Sequence, residues 1–435
     1  MGHIVAKDVY RNLGKKIDGL TVRTPFNETF HEILKELYTA EEADVVTRMP
    51  YGLSNLKRIS KSLGYNSYDL KPVLEGLSLK GLVIDLEHKG ELYYMPSPMV
   101  VGIFEFTMMR SGNGLDRKKM AGLFHEYFEA FIKGNFSSGE MQNVLRVIPY
   151  EDQIAEDQYV EVMDYEKASE IVDRNDTFAI GICSCRHEKH HRGEKTCDSP
   201  LEVCTSFGIA ADYLIRNKLA REASKTEMHE LMAYAKKEGL VYSADNVQKG
   251  IQNICLCCGC CCNYLSGISR FGIANSVITS NFIADVNHHD CNGCGKCEKV
   301  CPIDAIEMIP VEKSGSEKRK KKPLINKTFC LGCGVCASKC KEDALLLGKR
   351  EKRIITPEKT FHKIILQALE KNNLQNLIFD NPQSMTQNFM RGLLGGFLKL
   401  SPVKKSLMSD TLRSNFLKSM ETGMKAQGKG WITNL

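Results

Sequence analysis

The chain has 435 residues, of which 43% are hydrophobic and 26% are charged, an ordinary composition for a globular protein of several domains. Its 59 basic and 53 acidic residues leave a formal charge of +6, which is weak evidence for a nucleic-acid partner. The 18 cysteines lie mostly in tight clusters, which argues against a disulfide scaffold and favours metal ligation in a reducing compartment. Because we find neither a signal-peptide pattern nor an apolar window of membrane length, we expect a cytoplasmic protein.

The N-terminal segment, residues 1–96, alternates helical and strand-like patterns. The predicted elements are helices over Asn27–Tyr38, Glu41–Thr47, Leu53–Leu63 and Tyr68–Lys80, and strands over Leu82–Leu86 and Glu91–Met95. This helix-turn-helix followed by a hairpin resembles a winged-helix domain, which implies DNA binding through Tyr68–Lys80. That helix offers only Lys71 and Lys80 as basic residues and has no arginine. We therefore favour a protein-docking or packing module and expect no nucleic-acid partner.

A cysteine-rich domain of α/β type is predicted over residues 97–284. Its first part, up to residue 150, is expected to be helical, with aromatic residues that we assign to a core: Phe104, Phe106, Phe124, Tyr127, Phe128 and Phe131. A buried strand over Thr177–Ile182 is predicted to end at the motif Cys183-Ser184-Cys185-Arg186. A loop that carries His187, His190 and His191, which we expect to face water, follows this motif.

Two helices are predicted in the rest of this domain. Pro200 suits the first turn of a helix that begins at Asp198 or Ser199, just after Cys197, and carries Cys204. Ser224 and Gly239 are expected to begin and end the second helix. The domain then presents its densest motif, Cys255-Leu256-Cys257-Cys258-Gly259-Cys260-Cys261-Cys262.

Two runs of cysteines with the spacing C-x2-C-x2-C-x3-C follow in residues 285–348. In such runs three thiolates bind one [4Fe-4S] cluster, and the fourth cysteine ligates the cluster of the other run. We expect one cluster, called cluster 1 below, to be held by Cys291, Cys294, Cys297 and Cys340. The other, cluster 2, is expected to be held by Cys330, Cys333, Cys336 and Cys301.

Residues 285–348 resemble a bacterial two-cluster ferredoxin. Besides the two runs, the resemblance includes Cys301-Pro302 followed by Asp304-Ala305-Ile306, and it recurs as Cys340 followed by Asp343-Ala344-Leu345. The sequence departs from the pattern at Lys341, which stands where the first run has Pro302, and in a long charged connection between the runs. Neither departure removes a ligand, so the resemblance implies a domain that binds two [4Fe-4S] clusters.

Residues 97–290 resemble a cysteine-rich module that occurs beside ferredoxin domains in iron–sulfur proteins of anaerobes. The resemblance is carried by the Cys183-Ser184-Cys185-Arg186 motif, the Cys197 to Cys204 segment and the block at 255–262. It implies a redox protein with several clusters but brings no established reaction.

The middle domain offers ten candidate ligands. They are Cys183, Cys185, Cys197, Cys204, Cys255, Cys257, Cys258, Cys260, Cys261 and Cys262. Adjacent cysteines in extended backbone point in opposite directions, so the second block either bridges two centres or serves one centre with spare thiols. We expect at least one further iron–sulfur cluster on a subset, in which the first four cysteines are joined by members of the second block. Zinc is the rival metal, since thiolates suit it equally, and a redox-active dithiol stays open.

The connection between the two cysteine runs is highly charged, and the C-terminal tail has an apolar side. Glu312–Pro323 is predicted to be an exposed excursion, and its Lys318–Lys322 stretch a dock for an acidic redox partner. The tail, residues 349–435, is predicted to be helical, with an apolar side over Phe389–Leu400. Such a tail could lie on a membrane surface, but packing against the body of the protein is the interpretation that we favour.

The predicted fold class is α+β multidomain, with the four segments 1–96, 97–284, 285–348 and 349–435. We find no Rossmann fingerprint, P-loop or metalloprotease motif, and we assign no catalytic residues. The function that we predict is electron transfer between redox proteins in anaerobic metabolism, as a carrier or as the electron-transfer subunit of an oxidoreductase. The alternatives are a redox-sensing regulator that acts through the winged helix, and an oxidoreductase with its active centre in the cysteine-rich module.

Overall fold

The structure is a computed structural model that describes residues 8–112, 114–135, 143–274, 276–311 and 320–434. The chain forms two compact units. Unit 1 comprises Met1–Phe131, Tyr213–Ala220 and Glu358–Leu435, and unit 2 comprises Ile132–Asp212 and Arg221–Pro357. Each unit therefore combines parts of several of the four segments.

The N-terminal part of unit 1 contains the predicted elements in the predicted order, together with a first helix and a first strand that the sequence did not predict. These are α1 (Val9–Asp18), α2 (Glu28–Leu37), α3 (Ala40–Arg48), β1 (Ser54–Asn55), α4 (Leu56–Leu63), α5 (Ser67–Leu79), β2 (Val83–His88) and β3 (Glu91–Pro96). The strands form an antiparallel sheet in the order β1-β3-β2. Helix α4 begins at Leu56 rather than at Leu53, because Asn55 caps it by accepting the N–H of Arg58 at 3.0 Å. The winged-helix resemblance itself stays a prediction.

Two helices, α6 (Phe104–Met109) and α7 (Arg117–Asn135), complete this part of unit 1. The ring of Phe104 packs edge-on against those of Phe124 and Phe128, with centroids 5.2 Å and 4.6 Å away. Phe106 and Tyr127 are buried as well, so these aromatic residues form core, as expected. The side chain of Phe131 lies outside the described set.

Unit 2 is built on a six-stranded sheet. The elements of this region are β4 (Leu145–Ile148), α8 (Ala168–Asp173), β5 (Phe178–Ile182), α9 (Ser184–His191), β6 (Glu202–Phe207), α10 (Gly208–Arg216), β7 (Ala220–Ala223), α11 (Lys225–Glu238), β8 (Val241–Asp245), β9 (Asn253–Cys257) and α12 (Asn263–Ser269). The strand order is β4-β8-β9-β6-β5-β7. Ser224 caps α11 and Gly239 ends it in the left-handed conformation, as predicted.

Two local predictions in this region are wrong. Cys204 lies in strand β6 rather than on a helix, because the β-branched residues Val203 and Thr205 and pairing on both sides outweigh the weak helix-start signal before it. The histidine segment forms helix α9 rather than a loop, and His187 is buried, whereas His190 is exposed as predicted. Burial of this charged segment is tolerated because Lys189 pairs with Glu188 at 2.9 Å inside the protein.

The ferredoxin-like part of unit 2 repeats one arrangement twice: a strand, a cysteine loop, a short helix and a second strand. The first copy uses β10 (Phe282–Val286), α13 (Lys296–Val300) and β11 (Ile306–Pro310), and the second β12 (Lys321–Ile325), α14 (Val335–Ser338) and β13 (Leu345–Lys349). The copies interlock, since β10 pairs with β13 and β11 pairs with β12. Within the predicted excursion, residues 312–319 lie outside the described residues, whereas Lys321–Pro323 belong to β12 and are therefore not part of a loop.

The C-terminal tail is helical and packs within unit 1. Its helices are α15 (Thr360–Glu370), α16 (Leu374–Ile378), α17 (Met385–Leu398), α18 (Ser401–Met408) and α19 (Asp410–Ala426). The ring of Trp431 stacks on that of His88, with centroids 4.5 Å apart. Met385, Phe389, Leu393 and Phe397 of α17 remain exposed, and the prediction of a membrane surface stays a prediction. Within the described ranges, no helix has both the length and the apolar character needed to cross a bilayer.

Asp380 anchors the tail to the N-terminal part of unit 1. Its carboxylate accepts a hydrogen bond from Nη1 of Arg58 at 2.9 Å, and Nζ of Lys429 lies 3.6 Å away. We expect Asp380→Asn to lower the free energy of unfolding of unit 1 by about 2 kcal/mol, because it leaves a partly buried guanidinium without its charge partner. The single tryptophan, Trp431, lies in this unit, so its fluorescence during denaturant unfolding measures the effect.

Glu75→Gln is the matched control for this prediction. It breaks the exposed pair with Lys71, at 2.8 Å, and should cost at most about 0.5 kcal/mol. Equal losses in the two variants would contradict the anchoring role of Asp380.

Candidate iron–sulfur and metal centres

The four cysteines assigned to cluster 1 line a single cavity. It is formed by Cys291, Cys294, Cys297 and Cys340, with walls that include Val286, Met308, Ala344 and Leu345. The interlocked pairing of the two copies brings Cys340, from the second run, to the three cysteines of the first. Among these cysteines Cys294 is exposed and the other three are half-buried. The residues present therefore fit a cluster that lies close to the protein surface.

The cysteines assigned to cluster 2 are more deeply placed. Cys330, Cys333 and Cys336 are buried, and Cys301 is half-buried. Burial raises the pKa of the Cys333 thiol to about 12, and it also raises the pKa values of Cys336 and Cys301. Thiols that resist ionisation in this way become thiolates when a metal displaces their protons, which is the behaviour of a buried metal site.

The loops of the two runs share the same unusual backbone. Gly295 and Gly334, which follow the second cysteine of each run, both have positive φ angles, +75° and +87°. Asp304 and Asp343, after the fourth cysteine, also lie in the left-handed region. Gly332 has φ +66°, and a Cβ there would lie 2.0 Å from the carbonyl oxygen of Phe282. This position therefore accepts only glycine.

All ten cysteines of the middle domain are described, and they divide into two groups. Four of them, called the thiol quartet below, come so close that every Sγ lies within 4.8 Å of the others: Cys197, Cys258, Cys260 and Cys261. The remaining six, called the inner thiols, are Cys183, Cys185, Cys204, Cys255, Cys257 and Cys262. Among the inner thiols, Cys262 hydrogen-bonds with Cys185 and Cys257, and Cys255 stands opposite Cys204 in the pairing of β9 with β6.

The two groups arise from the way in which the chain leaves strand β9. The strand ends at Cys257, a turn follows, and Cys262 is the N-cap of α12. Three thiols of the turn therefore belong to the quartet, while those of the strand and of the N-cap belong to the inner group. Cys197, which we expected to act with Cys183, Cys185 and Cys204, lies in the quartet instead.

Arg186 supplies a buried positive charge between the two groups. Its side chain is 1% exposed, and Nη2 donates to the carbonyl of Leu256 at 2.7 Å. Within the described part of the chain, Nε and Nη1 have no oxygen or nitrogen partner. Burial by itself would lower the pKa of Arg186, but the nearby Cys183 and Cys258 raise it above its usual range. A buried guanidinium in this position fits an anionic metal–thiolate centre.

The thiols beside Arg186 differ in acidity. A hydrogen bond from Cys261, assisted by Arg186, lowers the pKa of Cys258 to about 4. Burial raises the pKa of Cys183 to about 12. Cys258 is therefore the thiol of the quartet that most readily carries negative charge.

The thiol block, Cys255–Cys262, packs directly on the ferredoxin-like part. Cys257, Cys258, Cys261 and Cys262 share one apolar core with Ile303, Ala305 and Cys333. A Cβ on Gly259 would lie 2.4 Å from the carbonyl oxygen of Pro302, the residue after the cluster 2 ligand Cys301. The backbone N–H of Tyr150 also donates to the carbonyl of Cys333 at 3.0 Å. The middle thiols and the cysteines assigned to cluster 2 thus belong to one packed body.

The sequence did not predict the roles of Arg186 and of the buried charges of α9. In the sequence, Arg186 stands out only as the last residue of the Cys183–Arg186 motif, and the segment with Glu188 and Lys189 has the composition of a solvated loop. Asn263 donates to Glu188 at 2.8 Å, which holds α9 beside the thiol block. The one signal in the sequence is that these charges directly follow two cysteines.

Comparison with known proteins supports the ferredoxin-like part. Residues 290–344 match the family model of the 4Fe-4S dicluster domain, which spans both cysteine runs. No curated protein and no solved structure matches the chain. The prediction of a ferredoxin-type iron–sulfur domain is thereby confirmed, and the cysteine-rich region has the character of a metal-binding region.

Gly332→Ala tests the cluster 2 loop. The added Cβ would meet the carbonyl of Phe282 and displace the loop that carries Cys330 and Cys333. We expect the iron content per chain to fall by about four, the content of one cubane. Gly295→Ala is the control, because it has the same left-handed backbone strain but its nearest neighbour, Cγ of Met308, is 3.7 Å away. Equal iron contents in the two variants would contradict this explanation.

Proposed function

We propose that this protein transfers single electrons between redox proteins in the reducing cytoplasm of an anaerobic cell. In this proposal Cys291, Cys294, Cys297 and Cys340 hold cluster 1, and Cys330, Cys333, Cys336 and Cys301 hold cluster 2. Four of the inner thiols hold a further cluster. The observation that carries the proposal is the packing of Gly259 against Pro302, which brings the thiol block next to the cluster 2 ligands. Bound [4Fe-4S] clusters supply one-electron exchange.

The burial of the cysteines supports an order of transfer. The cluster 1 cysteines are exposed or half-buried, whereas three of the cluster 2 cysteines are buried. Cys257 and Cys262, two of the inner thiols, flank the turn that Pro302 contacts. We infer that a partner exchanges electrons at cluster 1 and that cluster 2 connects it to the middle domain. The N–H of Ala305 donates to Sγ of Cys301 at 3.2 Å, a bond of the kind that tunes cluster potentials.

A lysine-lined cleft beside Cys340 is the docking surface that we favour for the partner. It measures about 400 Å³ and is lined by Lys296, Lys299, Lys339 and Lys341 together with Val300, Ser338 and Cys340. Lys296, Lys299 and Lys341 are exposed. Positive charge around a ligand of cluster 1 favours an acidic redox partner. Of the predicted dock at Lys318–Lys322, the first two residues lie outside the described ranges.

Charge reversal tests the lysine-lined cleft. We expect Lys296→Glu/Lys299→Glu/Lys341→Glu to slow reduction by a reduced acidic ferredoxin by about tenfold at low ionic strength, because steering of the encounter is lost. The difference should shrink at high salt, and stopped-flow absorbance measures both rates. Lys371→Glu/Lys405→Glu/Lys418→Glu makes the same change of charge in the tail. Equal slowing in this control, or no slowing in the test variant, would contradict the assignment.

Gly259→Ala tests the connection between the thiol block and cluster 2. The new methyl group cannot fit beside the carbonyl of Pro302, so the turn must move away from cluster 2. We expect the ferredoxin clusters to remain and the redistribution of electrons into the middle domain after flash reduction to become slower. Gly348→Ala, whose Cβ would have only ordinary contact with Asp285 at 3.6 Å, is the control in the same unit. Unchanged redistribution in Gly259→Ala would oppose the proposed path.

The two other predicted functions remain hypotheses. For the DNA-binding regulator, the basic residues around α5 are engaged with acids, since Lys71 pairs with Glu75 at 2.8 Å and Lys80 with Glu42 at 2.6 Å. This arrangement gives a phosphate backbone little free charge to contact. Sequence-selective, salt-resistant binding in a mobility-shift assay would favour the regulator instead. For an oxidoreductase centred on the cysteine-rich module, no observation on the described residues identifies a catalytic group.

A further inference from the structure

We propose that the thiol quartet, Cys197, Cys258, Cys260 and Cys261, is a mononuclear site for one divalent metal ion, distinct from the iron–sulfur clusters. Zinc and ferrous iron share the chemistry of such a site, because both accept four thiolates in a tetrahedron. This site is independent of the proposed electron path, which uses the inner thiols and the ferredoxin cysteines.

Four of the six separations between the sulfur atoms are close to those of a tetrahedron around one ion. A metal–sulfur bond of about 2.3 Å places the four sulfurs about 3.8 Å apart. Sγ of Cys197 lies 3.7 Å from that of Cys258 and 3.9 Å from that of Cys261. Sγ of Cys260 lies 3.6 Å from that of Cys258 and 3.5 Å from that of Cys261. The other two separations are within 4.8 Å, so all four sulfurs lie close enough together to bind one ion.

A cubane requires a wider arrangement, because its four irons bind four cysteines at separate corners. The ferredoxin cysteines provide the comparison within the same chain. Among the described residues, the quartet is the one group of three or more metal-binding side chains whose ligand atoms all lie within 4.8 Å of one another. The eight cysteines of the dicluster domain do not form such a group, although they bind clusters. The spacing in the quartet is thus that of a single ion.

The fold builds the quartet from two segments distant in sequence. Cys258, Cys260 and Cys261 come from one turn, which the hydrogen bond from the N–H of Cys262 to the carbonyl of Cys258, at 3.1 Å, closes. Cys197 comes from the segment after α9, and Nζ of Lys195 donates to its carbonyl. Cys261 is fully buried and Cys260 is exposed, so the site lies at the edge of the core. A metal there would hold the post-α9 segment to the turn.

The charges around the quartet fit a tetrathiolate ion. Four thiolates and one divalent ion carry a net charge of about −2, which needs compensation when it is partly buried. The guanidinium of Arg186, 1% exposed, faces Cys258 from the inner side, and two of its nitrogens have no oxygen or nitrogen partner among the described residues. Arg186 would thus neutralise part of the charge of the site.

The test is X-ray absorption of the full chain, purified without oxygen, together with zinc, iron and acid-labile sulfide contents of wild type and variants. We expect one zinc, or one iron without matching sulfide, that is lost in Cys197→Ser/Cys261→Ser while sulfide stays constant. Cys204→Ser, at an inner thiol, should retain this ion. At the zinc edge we expect about four sulfur neighbours at about 2.3 Å and no metal–metal scattering.

Three results would overturn the proposal. The first is a loss of about four irons with matching sulfide in the quartet variant, which would indicate a cubane. The second is metal and sulfide content identical to wild type in that variant. The third is a failure of the wild-type protein to show the site. This would be a zinc with nitrogen or oxygen neighbours, or a preparation that contains neither zinc nor an iron without matching sulfide. The ferredoxin signals in electron paramagnetic resonance report whether a variant is folded. If the double variant loses these signals, the single variant Cys260→Ser, at the exposed position, is measured in its place.

Discussion

The contact of Gly259 with the carbonyl of Pro302 is the constraint on which the arrangement of unit 2 depends. At 2.4 Å from an ideal Cβ, this approach excludes every side chain, and it fixes the turn of the thiol block against the loop of a cluster 2 ligand. The six-stranded sheet supports this contact, because the thiol block begins in β9, and the pairing of β9 with β6 places Cys204 opposite Cys255. The apolar core then continues without interruption from Cys257 to Cys333.

Burial and charge differ between the groups of cysteines in the metal-binding region. The cysteines assigned to cluster 1 are exposed or half-buried, three of the four assigned to cluster 2 are buried, and the buried guanidinium of Arg186 lies close to Cys183 and Cys258. Burial raises the cost of negative charge on these thiols, and Arg186 offsets part of that cost beside Cys183 and Cys258. The exposed lysines beside Cys340 form the surface that we propose for an acidic partner.

The sequence predicted best what depends on local spacing. The ferredoxin-type domain follows from two runs of cysteines, and the capping of α2 and α11 follows from Asn27 and Ser224. Prediction from the sequence failed where tertiary contacts determine the structure. Cys204 lies in a strand because β6 pairs with both β5 and β9. Helix α9 is buried because Glu188 and Lys189 neutralise each other. The division of the ten middle cysteines was also hidden, because Cys197 meets residues of a turn about sixty positions later. No local pattern encodes that meeting.

The central claim is that the middle domain carries iron–sulfur chemistry of its own beside the ferredoxin clusters. Iron and acid-labile sulfide per chain, determined on full-length protein purified without oxygen, test it most directly. The account predicts clearly more than about eight of each, with the excess sulfide matched by excess iron. A sulfide content of about eight, which the two ferredoxin clusters explain completely, would contradict it.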